Sequence, residues 1–334
     1  MNYECHYIYS ELHILNLIKM GRKILVIGSA GQIGSELVPA LRGKYGGENV
    51  IATGRRTALP ESVKKSGPVI YLDALDKKSI AKVIFEYEID TIFHMASILS
   101  ATGENVPQTA WDINLNGLIN VLEVARSYKI DQVIWPSSIA AFGPTTPREN
   151  TPNITVLQPT TMYGITKVAG ELLAEYYYNK YHLDVRSMRL PGIISSETLP
   201  GGGTTDYAVE IFYEAIKNKR YTCFLREDTV LPMLYMPDCN KCMIDLLEAD
   251  NSKLKRRVYN LTGISFSAGE IAAEIKKHIP EFKIEYNPDF RQAIADSWPK
   301  TIDDSLAREE WGWNPEYNLE AMTKDMIAIL SKRL

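Results

Sequence analysis

Three groups of side chains have the types and spacing that proton transfer beside a bound dinucleotide would need. Tyr163 and Lys167 stand four apart in Tyr163-Gly-Ile-Thr-Lys167. On a helix that spacing sets both side chains on one face. An ammonium beside a phenol lowers the phenol pKa by charge. A phenol so tuned can exchange a proton with a substrate hydroxyl, and the lysine stem can reach a nicotinamide ribose. Upstream, Pro136-Ser-Ser-Ile-Ala-Ala-Phe-Gly143 offers hydroxyls able to hold the same substrate oxygen. Ser137 and Ser138 are adjacent, and counting back from Phe142-Gly143 selects Ser138. The third group is Gly28-Ser-Ala-Gly31-Gln-Ile-Gly34, which follows the apolar run Lys23-Ile-Leu-Val-Ile. Gly28 would end a strand in a tight turn, Gly31 would let backbone approach a pyrophosphate, and Gly34 would let a helix pack closely. The free N–H groups at that helix start favour phosphate. Each motif alone is weak. Their order along the chain (glycine loop, serine after a strand, Tyr/Lys helix) is the specific signal.

The elements that must position these groups read as alternating strands and helices. Strands are expected at 23–28, 50–52, 69–72, 91–94, 132–135 and 184–189. Helices are expected at 33–45, 77–87, 106–128 (whole or broken) and 161–181. This alternation means βαβ units, hence an α/β fold with a doubly wound parallel sheet. After Leu190 the rhythm changes, with Pro191-Gly192 and Pro200-Gly-Gly-Gly203 followed by mainly helical stretches at 207–218, 237–249, 268–278 and 319–332. The expected organisation is an N-terminal extension over 1–20, a dinucleotide-binding domain over 21–190 and a smaller substrate lobe over 191–334.

Ligands bind such sheets at the carboxyl ends of the strands. The residues there are the expected dinucleotide contacts: Gly28, Gly31, Gln32, Ile33 and Gly34; Arg55; Asp73, Ala74 and Leu75; Met95 and Ala96; Tyr163 and Lys167; and Pro191. The second strand runs into Thr53-Gly-Arg-Arg56, without the carboxylate that usually binds the adenine ribose of NAD. Arg forks suit a 2′-phosphate, although Arg55 and Arg56 could equally be a solvated loop pair. Asp73 is a candidate for the adenine edge or a loop cap. His94 is expected to line the cofactor with backbone and not to act as a base.

The formal net charge is −4, with 45% hydrophobic and 23% charged residues, the balance of a soluble globular chain. No basic stripe points to nucleic acid, and no apolar run approaches a membrane span. Cys5, Cys223, Cys239 and Cys242 are too few and scattered for a disulfide framework. They fit a reducing compartment, the cytoplasm, with a mitochondrion left open for a eukaryotic source. Cys239 and Cys242 read as core positions of a helix, and no metal site is expected. Residues 1–20 lack the features of a signal peptide. They are an upstream start, an arm or an added helix.

Beyond these motifs, the chain resembles the short-chain L-threonine 3-dehydrogenase family, an extended branch of the short-chain dehydrogenases. The resemblance is carried by Gly28–Gly34, Ile98-Leu-Ser-Ala-Thr-Gly-Glu104, Ala140-Ala-Phe-Gly-Pro144 and Arg189-Leu-Pro-Gly-Ile-Ile-Ser195. More specific are Gly201–Phe212, Arg291–Pro299 and Asp303–Arg308. It runs from about Gly21 to the C-terminus and departs from the family at Gly54, where Asp is usual. The resemblance implies oxidation of L-threonine by NAD, whereas the departure at Gly54 and the arginines after it point to tolerance of NADP. Tyr163 would be the general base, Lys167 would lower its pKa, and Ser138 would share the hydroxyl. Substrate contacts would come from Ser100, Ser138, Tyr163, Thr204, Thr205 and Trp298, with Gly201–Gly203 as a mobile lid. The glycine run could also be a plain connector, and Trp298 a core anchor. Asn114 would hold a helix kink or a relay water. The resemblance further implies a homodimer through the 106–128 and 161–181 helices, whose Ile119, Val121, Leu122, Leu172, Leu173, Tyr176 and Tyr177 are apolar on more than one face. The rivals are a sugar-nucleotide epimerase or dehydratase and a non-catalytic dinucleotide sensor.

Overall fold

The computed structural model describes residues 21–199 and 201–334. The expectations for residues 1–20, Cys5 among them, fall outside these. Strand β1 (Ile24–Ile27) is buried along its whole length. Its alternate side chains serve two cores. Ile24 and Val26 pack with helix α1 (Gln32–Tyr45). Leu25 and Ile27 pack on the opposite face, as a strand covered on both sides requires. Around it lie β2 (Val50–Gly54), β3 (Val69–Tyr71), β4 (Thr91–His94), β5 (Gln132–Ile134), β6 (Ser137–Ser138) and β7 (Asp184–Leu190). Together with β11 (Val258–Asn260), the order is β11-β7-β5-β4-β1-β2-β3, and β6 pairs with β7. All pairings are parallel. The chain goes outward from β1 to β3 and then returns to the other side of β1 with β4. That reversal opens a crevice at the ends of β1 and β4, where open α/β sheets bind ligands.

Helices α2 (Glu61–Lys65), α3 (Lys77–Glu86), α4 (Ser100–Asn105), α5 (Pro107–Trp111), α6 (Gly117–Tyr128) and α7 (Met162–Tyr181) connect the strands. The long helix expected at 106–128 is interrupted by a π-helical turn, Asp112–Asn116. Helix α7 is capped by Thr161, whose side chain accepts the Gly164 N–H at 3.1 Å. A Cβ on Gly170 would lie 2.3 Å from the Trp135 ring, so glycine there lets α7 press against the sheet end that carries the serines.

Beyond Leu190 helices predominate, as expected, with short strands between them that the periodicity does not show. Helices α8 (Tyr207–Lys217), α9 (Met236–Glu248), α10 (Ala268–His278), α11 (Arg291–Asp296), α12 (Ser305–Trp311) and α13 (Leu319–Arg333) do form. So do β8 (Gly192–Ile194), β9 (Arg220–Cys223), β10 (Val230–Tyr235), β12 (Ile264–Ser267) and β13 (Lys283–Tyr286). They build a three-stranded sheet, β12-β10-β8, and a two-stranded one, β13-β9. These strands are short and give little periodicity, and Pro232 inside β10 argues against a strand. It is accommodated because β8 pairs with β10 only from Met233 onward. The distal chain also returns to the large sheet, supplying β11, while α9 and Trp313 join the core around α1. Cys239 and Cys242 are buried within α9. Among the described residues, no helix is long and apolar enough to cross a membrane.

Candidate active site

The glycine loop is shaped by contacts that exclude a side chain. Gly28 has φ +96°, and a Cβ there would lie 2.6 Å from the Ala96 nitrogen. A Cβ on Gly34 would fall 2.4 Å from the Gly28 carbonyl oxygen. The loop is bonded to β2: Ser29 donates its N–H to the Thr53 carbonyl at 2.9 Å, and Thr53 donates its N–H to Ser29 Oγ at 3.1 Å. Gln32 Nε2 is buried without a partner among the described residues. A cavity of about 440 Å³ opens here. A second, of about 260 Å³, continues it toward the ends of β2 and β3. Every residue expected to contact the dinucleotide lines one of the two. A cradle of backbone N–H groups, tight glycines and a free amide donor fits a pyrophosphate.

The proton-transfer groups meet at the first cavity. Tyr163 and Lys167, on the first turns of α7, are both buried. Ser137 turns away, donating to Glu171 Oε1 at 2.5 Å. Ser138 and Ser97 line the same cavity as Tyr163. Burial pushes the Tyr163 pKa up to about 12, opposed by those two serines. Burial pushes the Lys167 ammonium down to about 7, opposed by the Glu171 carboxylate. Lys167 Nζ donates to the Pro136 carbonyl at 2.7 Å and sits 4.6 Å from the Trp135 ring centre. Lys167 Nζ also lies 5.3 Å from the Tyr163 ring centre, so its charge is within reach of the phenol. His94 is buried with both ring nitrogens unpartnered among the described residues. Burial, with Lys167 nearby, takes its pKa down to about 3, so it lines the cavity as a neutral imidazole.

At the far end Ser100 Oγ and Thr204 Oγ1 are 3.1 Å apart, and Thr205 and Trp298 line the same wall. Trp298 also packs in the core of the smaller lobe, so its two readings coexist. The glycine run is not simply a free connector. Gly202 and Gly203 donate their N–H groups to Asp206 Oδ2 at 2.9 and 2.7 Å. Asp206 is a cavity residue that sequence reasoning missed, and burial raises its pKa to about 6. Ser97 was missed too, although a hydroxyl just past the end of β4 is the same signal that singled out Ser138. Asn114, on the π-helical turn, has its amide filled. Its Oδ1 accepts the Ile98 N–H at 2.7 Å, and its Nδ2 donates to the Ile98 carbonyl at 3.0 Å. It thus binds the β4 loop.

Residues 24–262 match the model of the NAD dependent epimerase/dehydratase family. The chain belongs to this family. An uncharacterized epimerase/dehydratase of Staphylococcus haemolyticus is 48% identical over 313 residues, covering 93% of this chain and 98% of that protein. Among solved structures, L-threonine dehydrogenase from Clostridium difficile is 51% identical with a TM-score of 0.91, covering 93% of this chain and 98% of that one. A holo form of L-threonine dehydrogenase from Cupriavidus necator is 50% identical with a TM-score of 0.89, covering 92% and 99%. The family resemblance read from the motifs is thereby established. A nicotinamide dinucleotide is the cofactor of this epimerase/dehydratase family member, and the glycine loop, Gln32 and Lys167 line the first cavity.

Proposed function

We propose that the protein oxidises the 3-hydroxyl of L-threonine, giving L-2-amino-3-oxobutyrate, with NAD as hydride acceptor. The observation that carries this reading is the chemistry of the cavity wall facing Tyr163: hydroxyls from Ser100, Thr204 and Thr205 and the carboxylate of Asp206. That set suits a small zwitterion, with Asp206 paired to its ammonium. Full-length likeness to L-threonine dehydrogenases supports it. In the reaction Tyr163 takes the hydroxyl proton, Ser138 holds the same oxygen and Lys167 holds the ribose. When bound, the dinucleotide accepts the hydride. The test is NADH release with L-threonine against UDP-sugars. Turnover of a UDP-sugar alone would favour the epimerase or dehydratase that the Staphylococcus relative is named for. No turnover of either would favour a dinucleotide sensor.

NAD is the proposed working cofactor, with weak discrimination against NADP. Arg55 Nε lies 3.1 Å from Asp73 Oδ2, and Asp73 Oδ1 also accepts the Leu75 N–H at 3.0 Å. A 2′-phosphate must therefore compete for Arg55 with an exposed pair, a pairing worth only about 0–1 kcal/mol. A Cβ on Gly54 would meet Leu59 and the Thr57 carbonyl at 3.4 Å, so an Asp side chain has room. Gly54→Asp should shift the kcat/KM ratio toward NAD by about tenfold or more, through like-charge repulsion of the 2′-phosphate. If wild type already rejects NADP a thousandfold and the variant is unchanged, another group reads the ribose.

We also propose a homodimer. Of the apolar residues named on the two helices, Val121, Leu122 and Tyr177 pack into the core. Leu172 and Tyr176 are exposed on α7 with Ile165, while Trp111 and Tyr128 are exposed on α5 and α6. A helix apolar on a second face buries it against a partner. Light scattering should give twice the monomer mass for wild type and less for Leu172→Glu. A wild-type monomer at micromolar concentration would end this proposal.

A further inference from the structure

The first cavity is walled in part by a turn that follows β8. Thr198 and Leu199 of this turn line it together with Gly31, Gln32 and Ile33 of the glycine loop. The turn is tied at every step. Ser195 is fully buried, and its Oγ accepts the N–H groups of Glu197 at 3.0 Å and Thr198 at 3.1 Å. The same hydroxyl donates to Glu36 Oε1, near the start of α1. Thr198 Oγ1 lies 3.0 Å from Ser35 Oγ, whose own hydrogen goes to the Gln32 carbonyl at 3.0 Å. Arg333, the last residue of α13, holds the turn from elsewhere. Its guanidinium donates to the Ser196 carbonyl and, at 3.0 Å, to the Glu197 carbonyl, and it pairs with the Glu197 carboxylate at 3.3 Å. The helix that starts at the glycine loop and the last helix of the chain thus grip one short turn.

We propose that Glu36 and Arg333 are positioning residues for the dinucleotide, the two arms of a clamp that holds the 195–198 turn as a wall of its cavity. A dinucleotide then meets a wall already formed. Without the clamp the turn must be ordered as the dinucleotide binds, and the apparent affinity falls by the fraction of time the turn is in place. Glu36 makes the grip respond to pH. Burial raises its carboxyl to about 7, opposed by the Ser195 hydroxyl, with Glu197 acting to raise it and Arg333 to lower it. From α8, Tyr213 places its hydroxyl 3.5 Å from the Ser196 carbonyl, and burial raises that phenol. A carboxyl released from the clamp meets water and returns to its ordinary, lower range, so the clamped form binds the proton more tightly. The clamp is therefore favoured below pH 7 and weakens as pH rises through it. The proposal concerns the dinucleotide alone and holds whichever substrate the protein takes.

The test measures Kd and dissociation rate with whichever of NAD and NADP wild type binds more tightly. Glu36→Ala should raise Kd by on the order of tenfold, the effect of a wall in place about a tenth of the time. The change should lie in dissociation and not in association. Arg333→Ala alters only the exposed end of α13 and should raise Kd in the same way by a few-fold, which keeps the test open if Glu36→Ala fails to fold. Glu36→Gln keeps an acceptor for Ser195 and is neutral at every pH. Its Kd should match wild type at pH 6 and lie several-fold below it at pH 8.5. Lys167 titrates in the same range but is present in both proteins, so the difference between them reports Glu36. An Arg333→Ala Kd equal to wild type would overturn the proposal, as would wild-type and Glu36→Gln profiles that run parallel from pH 6 to 8.5.

Discussion

Replacing Tyr163 by Phe should cut kcat by on the order of 10²–10⁴, the usual effect of losing a positioned general base, while dinucleotide binding survives. The substitution removes one oxygen and leaves the ring buried between α7 and the β6 end, so packing is kept. The pH dependence follows from the same group. A base must be ionised to accept a proton, and burial holds Tyr163 neutral up to about pH 12. The rate therefore rises with pH as the ionised fraction grows. Lys167 works in the opposite sense, because its pKa is lowered to about 7. Its positive charge is present below that pH and lost above it. The net expectation is a single-turnover rate that climbs from pH 6 to 9 with a slope below one decade per unit in the upper half. Single-turnover conditions keep product release from masking the chemistry. A profile flat from pH 6 to 9, or a Phe variant within a few-fold of wild type, would remove Tyr163 from the role of base.

The largest expected loss of stability comes from Glu171→Ala. Glu171 and Arg189 are both buried, and they pair through Nε–Oε1 at 2.9 Å and Nη2–Oε2 at 2.8 Å. Ser137 adds a third bond to the same carboxylate. Arg189 Nη1 is occupied by the Asn153 carbonyl and Asn260 Oδ1, so the cation cannot swing to a new partner. Removing the carboxylate leaves a buried guanidinium uncompensated, an effect of about 3–5 kcal/mol. That is a large part of the roughly 5–15 kcal/mol that holds a typical native state. Urea unfolding should show it as a lower midpoint at similar slope. A change below about 1 kcal/mol would mean that the pair adds little. Glu171 also supports the charge on Lys167, so residual activity in the folded variant should weaken at neutral pH.

The first half of the fold was legible because buried parallel strands are short apolar runs and each is followed by a helix of regular period. The site was legible because its motifs sit at strand ends and helix starts, where chain order fixes spatial order. Other features depended on contacts that sequence spacing does not reveal. The turn of the Lys167 ammonium to the Pro136 carbonyl joins positions on different elements. The Arg55–Asp73 pair exists because β2 and β3 are neighbours. Asp206 looks like an ordinary turn residue until Gly202 and Gly203 are seen folded back on it. Most strands of the smaller lobe escaped notice because three or four residues carry too little alternation to distinguish them from loop, and the six-residue β10 was masked by Pro232. The second apolar face of α7 was visible as composition. Which residues lay on it was not, since Tyr176 and Tyr177 differ by one step and yet one is exposed and the other buried.

The position of β11 has a consequence for how the chain is made. Strand β7 ends at Leu190, and its neighbour on the outer side is Val258–Asn260. Buried Arg186, in the middle of β7, donates to the carbonyls of Leu246 and Ala249 at 2.7 Å each. Its companion Asp184 takes Arg257 at 2.8 Å. During synthesis, at roughly 5–20 residues per second, the ribosome releases the whole glycine loop, Ser138 and Tyr/Lys helix well before these partners exist. For those seconds β7 is an open edge whose Arg186 keeps Asp184 at 2.7 Å but lacks its carbonyl partners, and an open edge is the kind of template on which nascent chains aggregate. A chain ended after Leu190 should therefore be recovered as insoluble material, and a soluble, cooperatively melting fragment would contradict this. The cofactor-binding half is first in sequence but not first to be finished, and its last strand arrives only after the chain has already passed through the other lobe.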